Sequence, residues 1–194
     1  MTILLDTNAY LRLARHFEPL LGQKYINPPE ILQVTSEVDS EVSARPRLAS
    51  TFAWALEPHP TKNRLANLVT LNGPQMKEVW LARSVIEGVC QDQKKAGKFK
   101  AKGLTPPSPT DGLVLAYAYV LGCTVVADDG GMSFLSSELG ITVIGSHVLL
   151  KMMMDQGKIK LTDVQALAKY LDYAKDLPGS WLREAPKLFG VKLP

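Results

Sequence analysis

Thr124-Val125-Val126-Ala127-Asp128-Asp129-Gly130-Gly131 is a short apolar run that stops at two carboxylates and two glycines. Its length and its β-branched residues predict a buried strand, and Asp and Gly predict the turn that ends it. Near the N-terminus Ile3-Leu4-Leu5-Asp6-Thr7-Asn8 has the same form, an apolar run ending at a carboxylate where a helix begins. Two further strands are predicted, Ile31-Leu32-Gln33-Val34, set off by Asn27-Pro28-Pro29, and Ile141-Thr142-Val143-Ile144. Helical spacing fills the intervals. Leu11, Ala14 and Leu21 mark a helix over Asn8 to Leu21. Ser36 with Asp39 three residues on reads as a capping box, and Arg45-Pro46 breaks or restarts that helix. Gln75 to Lys95 places Met76, Val79, Trp80, Ile86 and Cys90 on one side. Thr110 to Leu121 is apolar nearly all round, hence buried, and Phe134 to Leu139 ends at Gly140. Short, wholly apolar strands alternating with helices predict an α/β fold: a mostly parallel sheet in a three-layer α/β/α arrangement.

The organisation changes towards the C-terminus. A polar, proline-rich linker leads up to Pro109. After Lys158, Thr162 is expected to cap one more helix, with Val164, Leu167, Ala168 and Leu171 on one face, and a tail follows with Pro178, Gly179 and Pro186. The expected division is a domain over residues 1–158 and a C-terminal helix and tail over 159–194, packed on it or extending from it.

With 194 residues, 46% of them hydrophobic, the chain buries a core without covalent staples. Cys90 and Cys123 are far apart and form no CxxC pair, which argues against a zinc knuckle or thioredoxin-type site. A single disulfide would still be compatible with the sequence; two reduced, partly buried thiols are the expectation. The opening MTILLDTNAY has no basic region and is interrupted by Asp6, unlike a signal peptide, and Gly112 to Gly122 is too short an apolar run to span a bilayer. A cytoplasmic protein is the expectation. A net charge of +3 decides little by itself.

The carboxylates carry the functional reading. In open α/β sheets, sites form beyond the carboxyl ends of the strands, where Asp6, Asp128 and Asp129 stand. Glu41 shares the phase of Val38 and Val42 on its helix, and a carboxylate on an apolar face must be paired or bind a cation. Asp39 points elsewhere and has only a capping role. Asp111 follows Ser108-Pro109-Thr110, a good capping sequence, and opens the buried helix, so it can cap and coordinate at once.

Four segments together resemble the PIN-domain family: Ile3-Leu4-Leu5-Asp6-Thr7-Asn8, Val38-Asp39-Ser40-Glu41-Val42, Thr110-Asp111-Gly112-Leu113-Val114-Leu115-Ala116 and Val125-Val126-Ala127-Asp128-Asp129. The order and rough spacing match over about the first 150 residues. The resemblance implies a PIN-like nuclease domain with ribonuclease activity, and its best-populated branch is the VapC-like toxins of bacterial toxin–antitoxin pairs. It implies Mg²⁺ or Mn²⁺ held by Asp6, Glu41, Asp111 and Asp129, with Asp128 as substitute for Asp129. Asn8, or Thr7, is expected to orient Asp6. RNA is the implied substrate and a small antitoxin protein the implied partner; a homodimer is also expected. Three features depart from the pattern. Ala127 stands where Thr or Ser is usual, Gly131 stands where another acid often appears, and the chain is longer near Thr61 to Thr105 and after Lys158.

The chemistry is consistent with this set. Phosphodiester hydrolysis needs an activated water and charge neutralisation at phosphorus, and an all-oxygen ligand set suits a hard divalent cation. His16, His59 and His147 are scattered, and there is no GxSxG elbow, Walker A motif or GxGxxG. Five lysines in the nine residues Lys94, Lys95, Ala96, Gly97, Lys98, Phe99, Lys100, Ala101 and Lys102 can grip a phosphate backbone, with Phe99 free to stack a base. A haloacid-dehalogenase-type phosphatase needs an Asp where Asn8 stands, and a receiver-like domain needs a Lys after Ile144. A PIN-like fold that binds RNA or protein without cutting is the remaining alternative.

Overall fold

Ile3, Leu4 and Leu5 are wholly without solvent exposure, so the first strand is covered on both faces. Such a strand belongs inside a parallel sheet rather than at a solvated edge. The computed structural model describes residues 2–24 and 30–194, and the expected Asn27-Pro28-Pro29 break lies outside them. The strands β1 (Thr2–Leu5), β2 (Ile31–Gln33), β3 (Thr124–Val126) and β4 (Val143–Ile144) pair in the order β2-β1-β3-β4, all parallel. Leu4 lies opposite Gln33 on one side and Val125 on the other.

Helix α1 (Thr7–Ala14) connects β1 to β2. Between β2 and β3 come α2 (Ser36–Ala44), α3 (Pro46–Thr51), a 3₁₀ turn at Ala53–Leu56, α4 (Pro58–Ala66), α5 (Gly73–Lys95), α6 (Lys98–Ala101) and α7 (Pro109–Leu121). Helix α8 (Gly130–Leu139) leads to β4, and α9 (Ser146–Asp155), α10 (Leu161–Tyr173) and α11 (Gly179–Phe189) follow. Right-handed crossovers leaving β1 in one direction and β3 in the other place α1 and α8 on opposite faces of the sheet. The result is a three-layer α/β/α fold. Buried side chains from β1 to Leu193, including Val164, Leu167 and Trp181, form one apolar cluster. Among the described residues no helix is long and apolar enough to cross a membrane.

Several local expectations are corrected. Helix α1 stops at Ala14 rather than Leu21, because Pro19 lacks the N–H that a continuing helix requires. Leu20 and Leu21 remain buried as part of the chain that leaves it. On α5 the inward stripe is Val79, Ala82 and Ile86. Met76 and Trp80 are exposed instead, and Trp80 lies beneath the Arg83 guanidinium, 5.3 Å from it. The linker after Lys95 contains α6, whose Phe99 is buried edge-on against Phe134, with ring centres 5.1 Å apart. Asp163, not Thr162, caps α10 by accepting from the Lys160 N–H. The expected C-terminal tail is helix α11, which retains Pro186 internally and seats Trp181 in the core.

The cap of α2 is also reassigned. Thr35 accepts from the Val38 N–H, so neither Ser36 nor Asp39 caps the helix. Asp39 pairs with Arg64 on α4 at 2.8 Å, and the Arg64 side chain is fully buried. The same guanidinium donates to the Ala55 carbonyl at 2.5 Å and to the Tyr10 hydroxyl at 3.3 Å. A buried cation must be matched, and removing its partner leaves an uncompensated charge. Asp39→Asn is therefore expected to cost about 3 kcal/mol of stability. Urea unfolding of the variant checks this, and a loss below ~1 kcal/mol would show that the other acceptors suffice for Arg64.

Candidate functional site: the carboxylate crevice

The connection from β1 leads to one side of the sheet and that from β3 to the other, so the crevice between their carboxyl ends is a topological switch point, the usual ligand site of an open α/β sheet. Asp6 follows β1 and Asp128-Asp129 follow β3. The ladder continues past Leu5, with the Asp6 N–H donating to the Val126 carbonyl at 3.0 Å.

Asp6 is 1% exposed, and its Oδ1 accepts from the Ala9 N–H at 2.6 Å, capping α1. Burial pushes its carboxyl up to about 8, an effect opposed by the Ala9 hydrogen bond and reinforced by the nearby charges of Asp128 and Asp111. Asp111 is the N3 residue of α7. It accepts from the Ser108 N–H at 2.8 Å, while Ser108 Oγ accepts from the Asp111 N–H. Burial raises its carboxyl above the ordinary range too; the Ser108 contacts oppose this and the charges of Asp129 and Glu41 add to it. Glu41 is 9% exposed at its side chain, as its phase with Val38 and Val42 predicted. It accepts from the Thr7 hydroxyl at 2.6 Å and pairs with Arg45 one turn on. Asp129 caps α8 by accepting from the Met132 N–H at 2.7 Å.

The remaining expected site residues are placed differently. Asp128 points into a separate network. It accepts from the Ser146 N–H and hydroxyl at 2.9 and 2.6 Å and pairs with Arg12 at 3.1 Å. Arg12 in turn grips Asp176 with two bonds, at 3.0 and 2.6 Å, and Trp181 Nε1 donates to Ser146 Oγ at 2.9 Å. Thr7 orients Glu41 rather than Asp6. Asn8 is exposed, and the backbone of Ala9 supplies the bond to Asp6 that Asn8 was expected to make. The lysines from Lys94 to Lys102 lie at the end of α5 and around α6. The burial of Phe99 removes it as a base-stacking ring, and Lys102 Nζ sits 5.3 Å from the ring of Phe134 instead.

The structure explains why residue 131 lacks a side chain. A Cβ at Gly131 would stand 1.9 Å from the Thr105 carbonyl oxygen, and one at Gly130 would stand 2.8 Å from Leu104. The segment after α6 therefore occupies the space that another acid would need. Arg12, Ser146, Asp176 and Trp181 were not foreseen. Arg12 and Asp176 are 164 positions apart, and no local pattern links them.

For a hard divalent cation the donor chemistry fits: Asp6, Glu41, Asp111 and Asp129 offer only oxygen, and burial, reinforced by Asp128 and Asp111, disfavours ionisation of Asp6 in the absence of a cation. As they stand, the side chains are drawn to helix caps and ion pairs, and among the described residues no three acidic, His or Cys groups are gathered closely enough to hold an ion.

No protein-family model matches the chain. No curated protein matches it either. Among solved structures the chain is similar to the crystal structure of FitAcB from Neisseria gonorrhoeae, at 16% identity and a TM-score of 0.45, over 75% of this chain and 98% of that one.

The raised Asp6 carboxyl makes folding stability depend on pH. Below about pH 4 the group is protonated both folded and unfolded. Between there and about 8 the unfolded chain ionises while the folded chain keeps its proton, so stability falls through that window and levels off above it. Asn at position 6 keeps an oxygen for the Ala9 cap and does not ionise. In EDTA, Asp6→Asn is expected to gain on the wild type by roughly 4 kcal/mol between pH 5 and pH 8. Urea titrations at both pH values check it, and an equal difference at the two would contradict a raised Asp6.

Proposed function

We propose that this chain is a metal-dependent endoribonuclease of the PIN-domain type, hydrolysing RNA phosphodiesters as the toxin of a toxin–antitoxin pair. The observation that carries the reading is Asp6, a carboxylate at the sheet's switch point whose ionisation is opposed first by its burial and then by Asp128 and Asp111. Buried like charges in a crevice suit a cation site or an acid–base site, since either use compensates the burial.

Asp6, Glu41, Asp111 and Asp129 would hold Mg²⁺ or Mn²⁺. Bound there, the ion would acidify a water and neutralise charge at phosphorus. The chain's own contribution is positional. The caps from Ala9, Ser108 and Met132 each hold one carboxylate oxygen, and Thr7 and Arg45 hold Glu41. Such supporting bonds orient ligands and keep them oriented. RNA over DNA, and the antitoxin, rest on the family resemblance. The alternative, an inert PIN-like domain that binds RNA or protein, is favoured by one observation: Thr105 fills the place of a further acid at Gly131.

Single-turnover cleavage of single-stranded RNA separates the two readings. The wild type should cut with Mg²⁺ or Mn²⁺ and stop in EDTA. Asp6→Asn, Glu41→Gln and Asp111→Asn should each lower the rate by at least about a hundredfold, equivalent to the loss of roughly 3 kcal/mol of barrier lowering. Asp39→Asn, where it folds, should cut normally. A folded Asp6→Asn that cuts at the wild-type rate would sink the mechanism. Wild type that binds RNA without cutting would favour the inert domain.

The lysines are expected to act on affinity. Replacing Lys98, Lys100 and Lys102 with Ala should weaken RNA binding and flatten its salt dependence by roughly 0.7 for each phosphate no longer neutralised. The rate at saturating RNA should stay near wild type. An unchanged salt slope would mark the run as a solvated surface.

A further inference from the structure

A cleft of about 550 Å³ lies between α1, α3 and α10, next to the carboxylate crevice. Its floor is apolar, made by Leu11, Leu48, Phe52 and Leu171. Arg45, the partner of Glu41, stands on its rim, so the cleft begins where the crevice ends. Asn8, two residues after Asp6, lines the same wall.

The charge around this cleft is cationic. Arg12 and Asp176 also line it, but they compensate each other through two hydrogen bonds. Arg47 and Lys175 remain, and among the described residues neither has an ion-pair partner. Lys175 is held at φ 57, in the left-handed region, where it ends α10 as the Asp176 N–H bonds back to the Leu171 carbonyl. Glycine takes that conformation without strain. A lysine there accepts strain and brings a cation to the cleft. Tyr170 lines the cleft, partly exposed, with the His16 ring centre 4.9 Å and the Arg15 guanidinium 5.9 Å from its own ring centre.

We propose that the cleft binds a nucleotide of single-stranded RNA adjoining the phosphodiester at the carboxylates, with its base on the apolar floor beside Tyr170 and a phosphate on Arg47 and Lys175. The proposal rests on the reading of the chain as an RNA-cleaving protein and names the subsite that its C-terminal extension adds. A cavity of this volume is of small-ligand size. An apolar floor with a cationic rim matches a base joined to a phosphate. A peptide of acidic residues alone would satisfy only the rim.

The test is binding of a fluorescein-labelled single-stranded RNA to the full chain in EDTA, where cleavage is not required. Arg47→Ala and Lys175→Gly are each expected to weaken binding severalfold and to reduce the salt slope by roughly 0.7 for each phosphate no longer neutralised. Tyr170→Ala should weaken it about tenfold with the slope unchanged, because stacking releases no counterions. Lys175→Gly relieves the backbone, so its Tm should hold or rise while its affinity falls, a combination that a structural role for Lys175 does not produce. Unaltered affinity in all three variants would overturn the proposal. So would no RNA binding at all, or displacement of RNA by polyglutamate with no effect of Tyr170→Ala, which would indicate an acidic protein partner. In any of these cases, Asp6-dependent cleavage by the wild type would leave the ribonuclease reading standing. Conversely, binding that depends on Arg47 and Tyr170 without metal-dependent cleavage would keep the cleft and remove the nuclease.

Discussion

The Asp6 N–H reaches the Val126 carbonyl and carries the β1–β3 ladder one residue beyond Leu5. That bond fixes the first carboxylate beside the acidic turn after β3. Parallel pairing is what makes the meeting possible. Strands running the same way end at the same edge, so residues 6 and 128–129, remote in sequence, arrive at one crevice. An antiparallel arrangement would send them to opposite ends of the sheet. Glu41 arrives by the same logic, on the helix after β2, and the Thr7 hydroxyl ties it to the helix that Asp6 caps.

Gathering like charges at a buried edge is costly, and the surrounding chain moderates the cost. Helix N-termini face three of the carboxylates. The caps on Asp6, Asp111 and Asp129 supply N–H donors and the positive ends of helix dipoles. Arg45 compensates Glu41, and Arg12 compensates Asp128. What is left falls on Asp6, the most deeply buried of the set, whose carboxyl burial holds well above the ordinary range. Depth of burial, opposed by the Ala9 cap, thus decides which carboxylate carries the excess.

The segments outside the four motifs shape the crevice as much as the motifs do. The C-terminal helices reach it through Trp181, Ser146, Asp128, Arg12 and Asp176, a continuous run of polar contacts from α11 to α1. The linker after α6 closes the other side, where the Thr105 carbonyl approaches so near that residue 131 has room for hydrogen alone. The stretch after α6 thereby leaves no room for a side chain at residue 131, while Asp176 and Trp181 hold Arg12 and Ser146, the two partners of Asp128.

The sequence by itself determined the strand–helix alternation, the parallel sheet, and Asp6, Asp111 and Asp129 at element ends, because these follow from apolar run length and capping chemistry, which act over a few residues. It also placed Glu41 on the inward face of its helix through the phase of Val38 and Val42. Tertiary structure alone decided the rest. Asp39 was legible as a cap, yet a buried Arg64 from another helix claims it, since a cation sealed in the core requires an anion. Asp128 resembled a spare ligand until Arg12 and Ser146 engaged it. Phe99 looked free to stack a base, but burial against Phe134 outweighs that use. In each case the deciding partner lies well outside the local stretch of chain. Packing selects among the roles a side chain can play, and no local pattern encodes that choice.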